Sequence, residues 1–182
     1  MSETLTVIGP SGAAATVADG AVSVRPLTDF QKAVEDGDAY AWASLTYDPD
    51  GHDTILSVEN NSATRDLYIQ EIHIQSDTAS QFVVHSGSGN TQAGTAAVTG
   101  TNMNRNSGKV APATAYCDET ANGEQAGGYL RRFYSGLVAA DGNVLIPVGG
   151  TIVLPNDHFI GVDFTTAATA GNVTIIGYYK DR

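Results

Sequence analysis

The sequence predicts an all-β protein, an antiparallel β-sandwich of jelly-roll type that carries an extended N-terminal arm. Short apolar runs alternate with polar residues in a period of two, which is the pattern of half-buried strands. Clusters of Gly, Asn, Asp and Ser separate these runs and supply the turns. Eight or more such strands indicate two packed antiparallel sheets. The long crossing connection in the closing section favours a jelly roll, but an immunoglobulin-like order stays open.

The sandwich is predicted to span residues 28–182. Within Phe159–Phe164 every second side chain is large and apolar, so Val162 and Phe164 share one face and are expected to be buried. The predicted strands are Ala39–Tyr47, Thr54–Glu59, Leu67–Gln75, Ser80–His85, Thr114–Asp118, Tyr129–Leu137, Gly142–Ile146, Thr151–Leu154, Phe159–Phe164 and Asn172–Tyr179.

Only one segment, at the start of the sandwich, has the signals of a helix. Thr28 or Asp29 supplies an N-cap, and Gly37 supplies a stop. The predicted helix is short, and a strand follows it at once.

The first 27 residues are predicted to form an arm. They contain short strand-like pieces separated by a Gly-Pro-Ser-Gly run and an Asp-Gly turn. The pieces are too small to build a core of their own. We therefore expect the arm to pack on a neighbouring chain, with Leu5, Val7 and Ile8 as contact residues.

A long polar segment interrupts the strands at about residues 94–128. It is rich in Asn, Thr, Gly and Ala, and a polar stretch of this length in a compact β domain is typical of an interaction surface. Asn side chains both donate and accept hydrogen bonds. We expect Asn102, Asn104 and Arg105 to contact other subunits or another protein of an assembly, although a solvent-facing receptor loop is the alternative.

The charge balance excludes several classes of partner. The chain has 20 acidic and 9 basic side chains and a formal net charge of −11. Such a surface repels nucleic-acid phosphates and disfavours anionic membranes. No apolar run reaches membrane-spanning length, and the N-terminus lacks the pattern of a signal peptide, so synthesis and folding inside a cell are expected. The single cysteine, Cys117, is interpreted as a small buried residue.

Two groups of polar residues are candidate metal sites. The loop Asp48–Asp53 gathers three carboxylates and a histidine, but its glycine falls too early for an EF-hand loop. A looser calcium site and a simple acidic hairpin turn both stay open. His73 and His85, on adjacent predicted strands, either meet as a metal pair or serve as ordinary strand histidines. We predict no bound metal and no cofactor.

The sequence does not predict an enzyme. Serines follow His85 in a Gly-rich run, but the run lacks the strand-turn-helix context of a nucleophile elbow. Asp118, Glu119 and Glu124 lie on Gly-rich sequence that is poorly suited to hold a glycosidase pair at a fixed separation. Arg131 and Arg132, in mid-strand, point to opposite faces, one of them toward solvent or a neighbouring subunit. The abundant tyrosines suit either a sugar platform or ordinary strand packing.

Four stretches together resemble virion structural proteins of tailed bacteriophages, of the capsid decoration (cement) or fibre-head type. They are AATVADGAVSVRP, TILSVENNSATRDLYIQEIHIQSD, TGTNMNRNSGKVAPATAY and GGTIVLPNDHFIGVDFTTAATAGNVTIIGYY, which cover most of the chain. The resemblance implies a β-sandwich without catalytic residues, often trimeric, on the capsid surface of a virion assembled in the host cytoplasm. The implied partners are the major capsid protein, or another virion protein, and further copies of the chain.

The predicted function is therefore to decorate and stabilise a phage capsid through subunit contacts. The alternative is a receptor- or glycan-binding head of a phage fibre or tail. In both functions the protein acts by binding a partner through its surface.

Overall fold

A computed structural model of the chain describes residues 6–8, 14–16, 27–49, 53–88, 96–117 and 131–182. These residues form one short helix, α1 (Asp29–Asp36), and thirteen strands. The strands are β1 (Thr6–Ile8), β2 (Ala14–Thr16), β3 (Ala39–Ala43), β4 (Asp53–Asn60), β5 (Arg65–Ser76), β6 (Ser80–Ser88), β7 (Ala96–Ala97), β8 (Thr101–Asn102), β9 (Ala113–Cys117), β10 (Arg131–Val138), β11 (Gly142–Leu154), β12 (His158–Phe164) and β13 (Gly171–Asp181).

Two antiparallel sheets pack face to face and confirm the predicted all-β sandwich. One sheet has five strands in the order β11-β5-β13-β3-β8, and the other has six in the order β10-β6-β12-β4-β9-β7. From β3 to β6 and again from β10 to β13, consecutive long strands belong to opposite sheets. Their connections therefore cross from one layer to the other. The jelly-roll winding stays a prediction, with which this strand order is compatible.

The core lies between the sheets and is built from alternate residues of the long strands. Val162 and Phe164 of β12 are fully buried, as predicted. They pack in one cluster with Leu56 of β4, Ile72 of β5 and Trp42 of β3. Apolar area removed from water in this way is the main stabilising contribution to such a fold.

Both helix caps predicted from the sequence are present. The side chain of Thr28 accepts a hydrogen bond from the backbone N–H of Gln31, and the Gln31 side chain reciprocates at the Thr28 N–H in a capping box. Gly37 ends the helix with φ = 75°, a left-handed conformation that favours glycine. A Cβ on Gly37 would also collide with Oγ of Ser107. The helix end is thus in close contact with the polar segment.

Most predicted strands are present, and their ends differ from the predicted ones by at most four residues. Two predicted strands are a single strand in the structure. The segments Gly142–Ile146 and Thr151–Leu154 form one strand, β11, whose pairing with β5 is interrupted between Pro147 and Ile152. Gly149 and Gly150 have positive φ angles at this bulge. The short strands β7 and β8, inside the polar segment, were not predicted.

The two N-terminal strands belong to neither sheet of the sandwich. Among the described strands, β1 and β2 pair with each other in a separate two-stranded sheet. Leu5 and most of the other residues of the predicted arm lie outside the described residues. The docking of the arm on a neighbouring chain stays a prediction.

In the part of the chain that the structure describes, no helix is long and apolar enough to cross a membrane.

Candidate assembly surfaces

The sandwich is open along one side, where two edge strands lie next to each other. β10 pairs only with β6 and β11 pairs only with β5 among the described strands, so each has one unpaired edge. A short turn at residues 139–141 connects the two strands, with Asp141 in a left-handed conformation at φ = 52°. Unpaired strand edges are surfaces on which other chains can dock.

Large apolar side chains are exposed along this side, which we call the open edge. Exposed fractions are 46% for Phe133, 47% for Tyr134 and 61% for Leu137 on β10. Opposite them, the inward-facing Val144 and Ile146 of β11 are only half-buried, although they pack on the core. Large apolar side chains clustered at one place on a surface indicate a protein-contact site more than scattered ones do.

Between the two strands lies a groove of about 250 Å³. Its walls come from both sheets, and the lining residues are Ile72, Val84, Phe133, Tyr134, Ile146, Val148, Thr151 and Ile152. Tyr134 is held in place by stacking on Phe82, with ring centroids 5.9 Å apart. The groove is therefore a formed apolar recess that leads toward the core.

The open edge also differs in charge from the rest of the chain. Strands β10 and β11 contain no carboxylate, whereas the whole chain has 20. Their only charged residues are Arg131 and Arg132, both exposed. They are the first two described residues of β10, and residues 118–130 before them lie outside the described part of the chain, so their predicted mid-strand position stays a prediction.

A second surface is formed by residues 103–112, which we call the polar loop. It follows β8, at the end of the five-stranded sheet opposite β11. Nδ2 of Asn102 donates to the carbonyl oxygens of Gly37, at 2.8 Å, and Lys109, at 3.2 Å. Oδ1 of Asn102 accepts from the backbone N–H of Asn104 at 2.9 Å. One asparagine thus joins the helix end to both ends of the loop.

Further hydrogen bonds within the chain fix the loop on α1. Nδ2 of Asn104 donates to the carbonyl oxygen of Glu35 at 2.8 Å, and its Oδ1 accepts from the N–H of Asn106 at 3.1 Å. Nζ of Lys109 lies 2.8 Å from a carboxylate oxygen of Asp38. The loop is therefore ordered without a partner, and its side chains are presented in a fixed arrangement.

The predicted contact residues in this segment divide into two kinds. The side chains of Asn102 and Asn104 make hydrogen bonds inside the chain, whereas Arg105 is exposed. Two apolar residues of the polar loop are exposed as well, with exposed fractions of 38% for Met103 and 74% for Val110. Contact of these residues with another subunit stays a prediction. We predict the same for Val7 and Ile8, whose backbone lies in β1.

A buried tyrosine, Tyr40, lies at the helix end and pairs with Asn102 of β8. Oη of Tyr40 donates to the carbonyl oxygen of Gly37 at 3.2 Å. Burial of the phenol raises the pKa of Tyr40, and the nearby carboxylate of Asp38 raises it further. Tyr40 is thereby kept as a neutral hydrogen-bond donor that supports the base of the polar loop.

A buried polar group lies in the six-stranded sheet. Nδ1 of His85 is 2.9 Å from Oδ2 of Asp163, in an orientation that does not make a hydrogen bond. Oγ1 of Thr54 donates to the other carboxylate oxygen, Oδ1 of Asp163, at 2.6 Å. The imidazole packs edge-on against Phe159, and its Nε2 would lie 2.7 Å from a Cβ on Gly161.

This arrangement has the acid and histidine of a hydrolytic triad, but both side chains are buried. A base must reach the proton that it removes, and the His85 ring packs on Phe159 and the Gly161 backbone instead. The arrangement therefore positions strands. Sequence reasoning found neither Thr54 nor Asp163 as its partners, because the three residues come from different strands.

The structure also decides one metal hypothesis and bears on a second. His73 is on β5 in the five-stranded sheet, beside Glu71, while His85 is on β6 in the other sheet, so of the two alternatives the metal pair is excluded. Part of the loop Asp48–Asp53 lies outside the described residues, which leaves its calcium site a prediction. Among the residues that are described, no three His, Cys, Asp or Glu side chains converge on a metal position.

Two further expectations concern Cys117 and the acidic residues after it. Cys117 is buried, as predicted, and its Sγ lies 3.0 Å from Oη of Tyr47. Asp118, Glu119 and Glu124 lie outside the described residues.

No protein-family model matches the chain, and no curated protein matches it significantly.

Proposed function

We propose that this protein is a structural component of a virus particle, a capsid decoration protein of a tailed phage that acts through contacts between subunits. The observation that carries the proposal is the open edge, where Phe133, Tyr134 and Leu137 are exposed beside a groove that opens toward the core. Free edges in monomeric proteins are usually blunted by charges, short strands or covering elements. An edge with large exposed apolar side chains is suited to be covered by another protein when the chain functions.

The polar loop supports the same function. Its backbone is fixed by Asn102 and Asn104, so docking it costs little conformational entropy. A fixed loop with exposed Met103, Arg105 and Val110 suits a permanent contact between subunits. The net charge of −11 favours solubility before assembly.

The proposal is tested on virus particles from the cells in which the chain is produced. Particles are purified on a density gradient, and the chain is quantified by mass spectrometry and located by labelling with an antibody. We expect a fixed number of copies per particle, distributed over the shell. A label confined to fibre tips would support the receptor-binding alternative. Absence of the chain from purified particles would contradict both functions.

A further inference from the structure

We infer that the free edge of β10 pairs with the same edge of a second copy of this chain, antiparallel and about a twofold axis at Gly136. The six-stranded sheets of the two copies then form one continuous sheet. The inference rests on the proposed function, which requires contacts between subunits, and it names the strand, the partner and the register. A twofold contact joins copies in pairs, so it is separate from the contact that a trimer requires.

The free edge of β10 is the least protected strand edge of the described sandwich. The other terminal strands are β11, whose pairing is interrupted after Pro147 at the Gly149–Gly150 bulge, and β7 and β8, which have two residues each. Proline, bulges and short length are features by which proteins prevent pairing at an edge. β10 has eight residues and no proline, and its one shift in register against β6 lies near its start, between Arg132 and Tyr134. The rest of this edge is therefore regular enough to pair with another strand.

The two faces of β10 match under self-pairing. Tyr134 and Val138 lie on the core side of the strand, and Ser135 and Leu137 lie on its outer side. Residues opposite each other in an antiparallel pair must lie on the same face of the sheet. With Gly136 opposite itself, Tyr134 meets the partner's Val138 on the core side. On the outer side, Ser135 meets the partner's Leu137, so every opposing pair shares a face.

Glycine at the centre of the strand suits a twofold axis. Any other residue at this position would place two identical side chains directly opposite each other. The apolar side chains next to the axis are exposed in the single chain, with fractions of 47% for Tyr134 and 61% for Leu137. Self-pairing covers them in both copies, and backbone N–H and C=O groups of the free edge gain hydrogen-bond partners.

Charge selects a second copy as the partner. Arg131 is the first described residue of β10, and Asp141 lies in the turn after the strand, equally far along the chain from Gly136. Both are exposed, and among the described residues neither makes an ion pair within its own chain. Antiparallel self-pairing sets Arg131 of each copy against the partner's Asp141, whereas a parallel pairing would set Arg131 against Arg131. Opposite charges at both ends of a contact fix its orientation and register.

The test reverses these two charges in the full chain. Arg131→Glu sets two carboxylates against each other at both ends of the dimer, and Asp141→Lys sets two cations against each other. Asp181→Lys is the matched control, because it makes the same change of charge at an exposed position at the end of β13, which is an inner strand of the other sheet. Circular dichroism and thermal melting establish that all three remain folded. Dimer dissociation constants are measured by sedimentation equilibrium.

We expect the wild type and Asp181→Lys to form dimers of equal affinity. Each of the other two variants should have a dissociation constant about tenfold higher, because two exposed ion pairs become repulsions. An equimolar mixture of Arg131→Glu and Asp141→Lys should form a mixed dimer with the affinity of the wild type, since each reversed charge then meets an opposite one. The double variant Arg131→Glu/Asp141→Lys should recover for the same reason. Native mass spectrometry identifies the mixed dimer by its mass.

Three results would each overturn the inference. The first is a wild-type chain that stays monomeric at the highest concentration at which it is soluble. The second is a pair of charge-reversed variants that dimerise as tightly as the wild type. The third is a mixture that associates no more tightly than either variant alone. A chain that is monomeric in solution but present in a fixed number on purified particles would overturn this inference alone and leave the proposed function standing.

Discussion

The side-chain amide of Asn102 donates a hydrogen bond to the carbonyl oxygen of Gly37, 2.8 Å away. Gly37 is the residue at which α1 ends, in a left-handed conformation with φ = 75°. This bond ties the polar loop to the helix end, and the loop is consequently ordered inside a single chain. A loop that is already ordered can act as a rigid docking element, which is what assembly by rigid contacts requires.

Replacing Asn102 with Ala should loosen this loop. The substitution removes the donor to the carbonyl of Lys109, one of the two donors to the carbonyl of Gly37, and the acceptor for the N–H of Asn104. Loss of partners for buried or half-buried polar groups costs about 1–3 kcal/mol. Urea unfolding should detect a decrease of that size, while Asn106→Ala, at an exposed position of the same loop, should have little effect. Equal stability of the two variants would contradict the assigned role of Asn102.

Gly161 should not tolerate even a methyl group. An added Cβ would lie 2.7 Å from Nε2 and 2.9 Å from Cε1 of His85, whose ring is fully buried. Overpacking of this kind costs about 1–3 kcal/mol. Gly161→Ala should therefore lower the free energy of unfolding, whereas Gly108→Ala, which meets no atom within 4 Å, should not.

A double-mutant cycle separates this contact from a general effect on β12. In a His85→Ala background the imidazole that an added Cβ would meet is absent. Gly161→Ala should therefore lower the free energy of unfolding much less than it does in the wild type. An equal cost in both backgrounds would mean that the imidazole is not what excludes a side chain at Gly161.

Glu59 makes stability depend on pH. Burial raises the pKa of this carboxyl, and the nearby Asp157 raises it further. Because the folded-state pKa exceeds the unfolded value, the protonated form favours folding, and that contribution is lost as pH rises through the folded pKa. Glu59→Gln should thus raise the melting temperature at neutral pH and have no such effect below the ordinary carboxyl value of 4.5.

The matched control for this pH series is Glu35→Gln, at an exposed position at the end of α1. Its melting temperature should follow that of the wild type across the series. A Glu59→Gln variant that gains nothing at neutral pH would contradict the argument from burial.

Removal of residues 1–24 should leave the sandwich folded. β1 and β2 form a sheet of their own, and both sheets of the sandwich consist of later strands. The truncated chain should keep the circular dichroism spectrum of the full chain and bind more weakly in a sedimentation assay with purified particles. Binding as strong as that of the full chain would contradict the predicted role of the arm.

Much of the fold could be predicted from the sequence because strand alternation and helix caps are local signals. The burial of Val162 and Phe164 follows from a period of two, and Thr28 and Gly37 mark the helix ends by their own chemistry. The two halves of β11 were separated in the prediction because Gly149 and Gly150 read as a turn, whereas they form a bulge inside one strand.

The candidate surfaces could be predicted only in part. The polar composition of residues 94–128 indicated an interaction surface, but the bonds of Asn102 to Gly37 and Lys109 depend on how distant segments meet. The open edge was not predicted, because an apolar strand such as β11 has the same alternation at an edge as in the centre of a sheet.

The central claim is that this chain is a structural protein of a virus particle, and imaging of purified particles tests it most directly. Cryo-electron microscopy at a resolution that shows strands should locate the two-sheet sandwich at regular positions on the shell, with its open edge covered by protein. Mass spectrometry of the same preparation should detect the chain. The claim would be contradicted if the chain were undetectable and the reconstructed shell and attached structures contained no density for this sandwich.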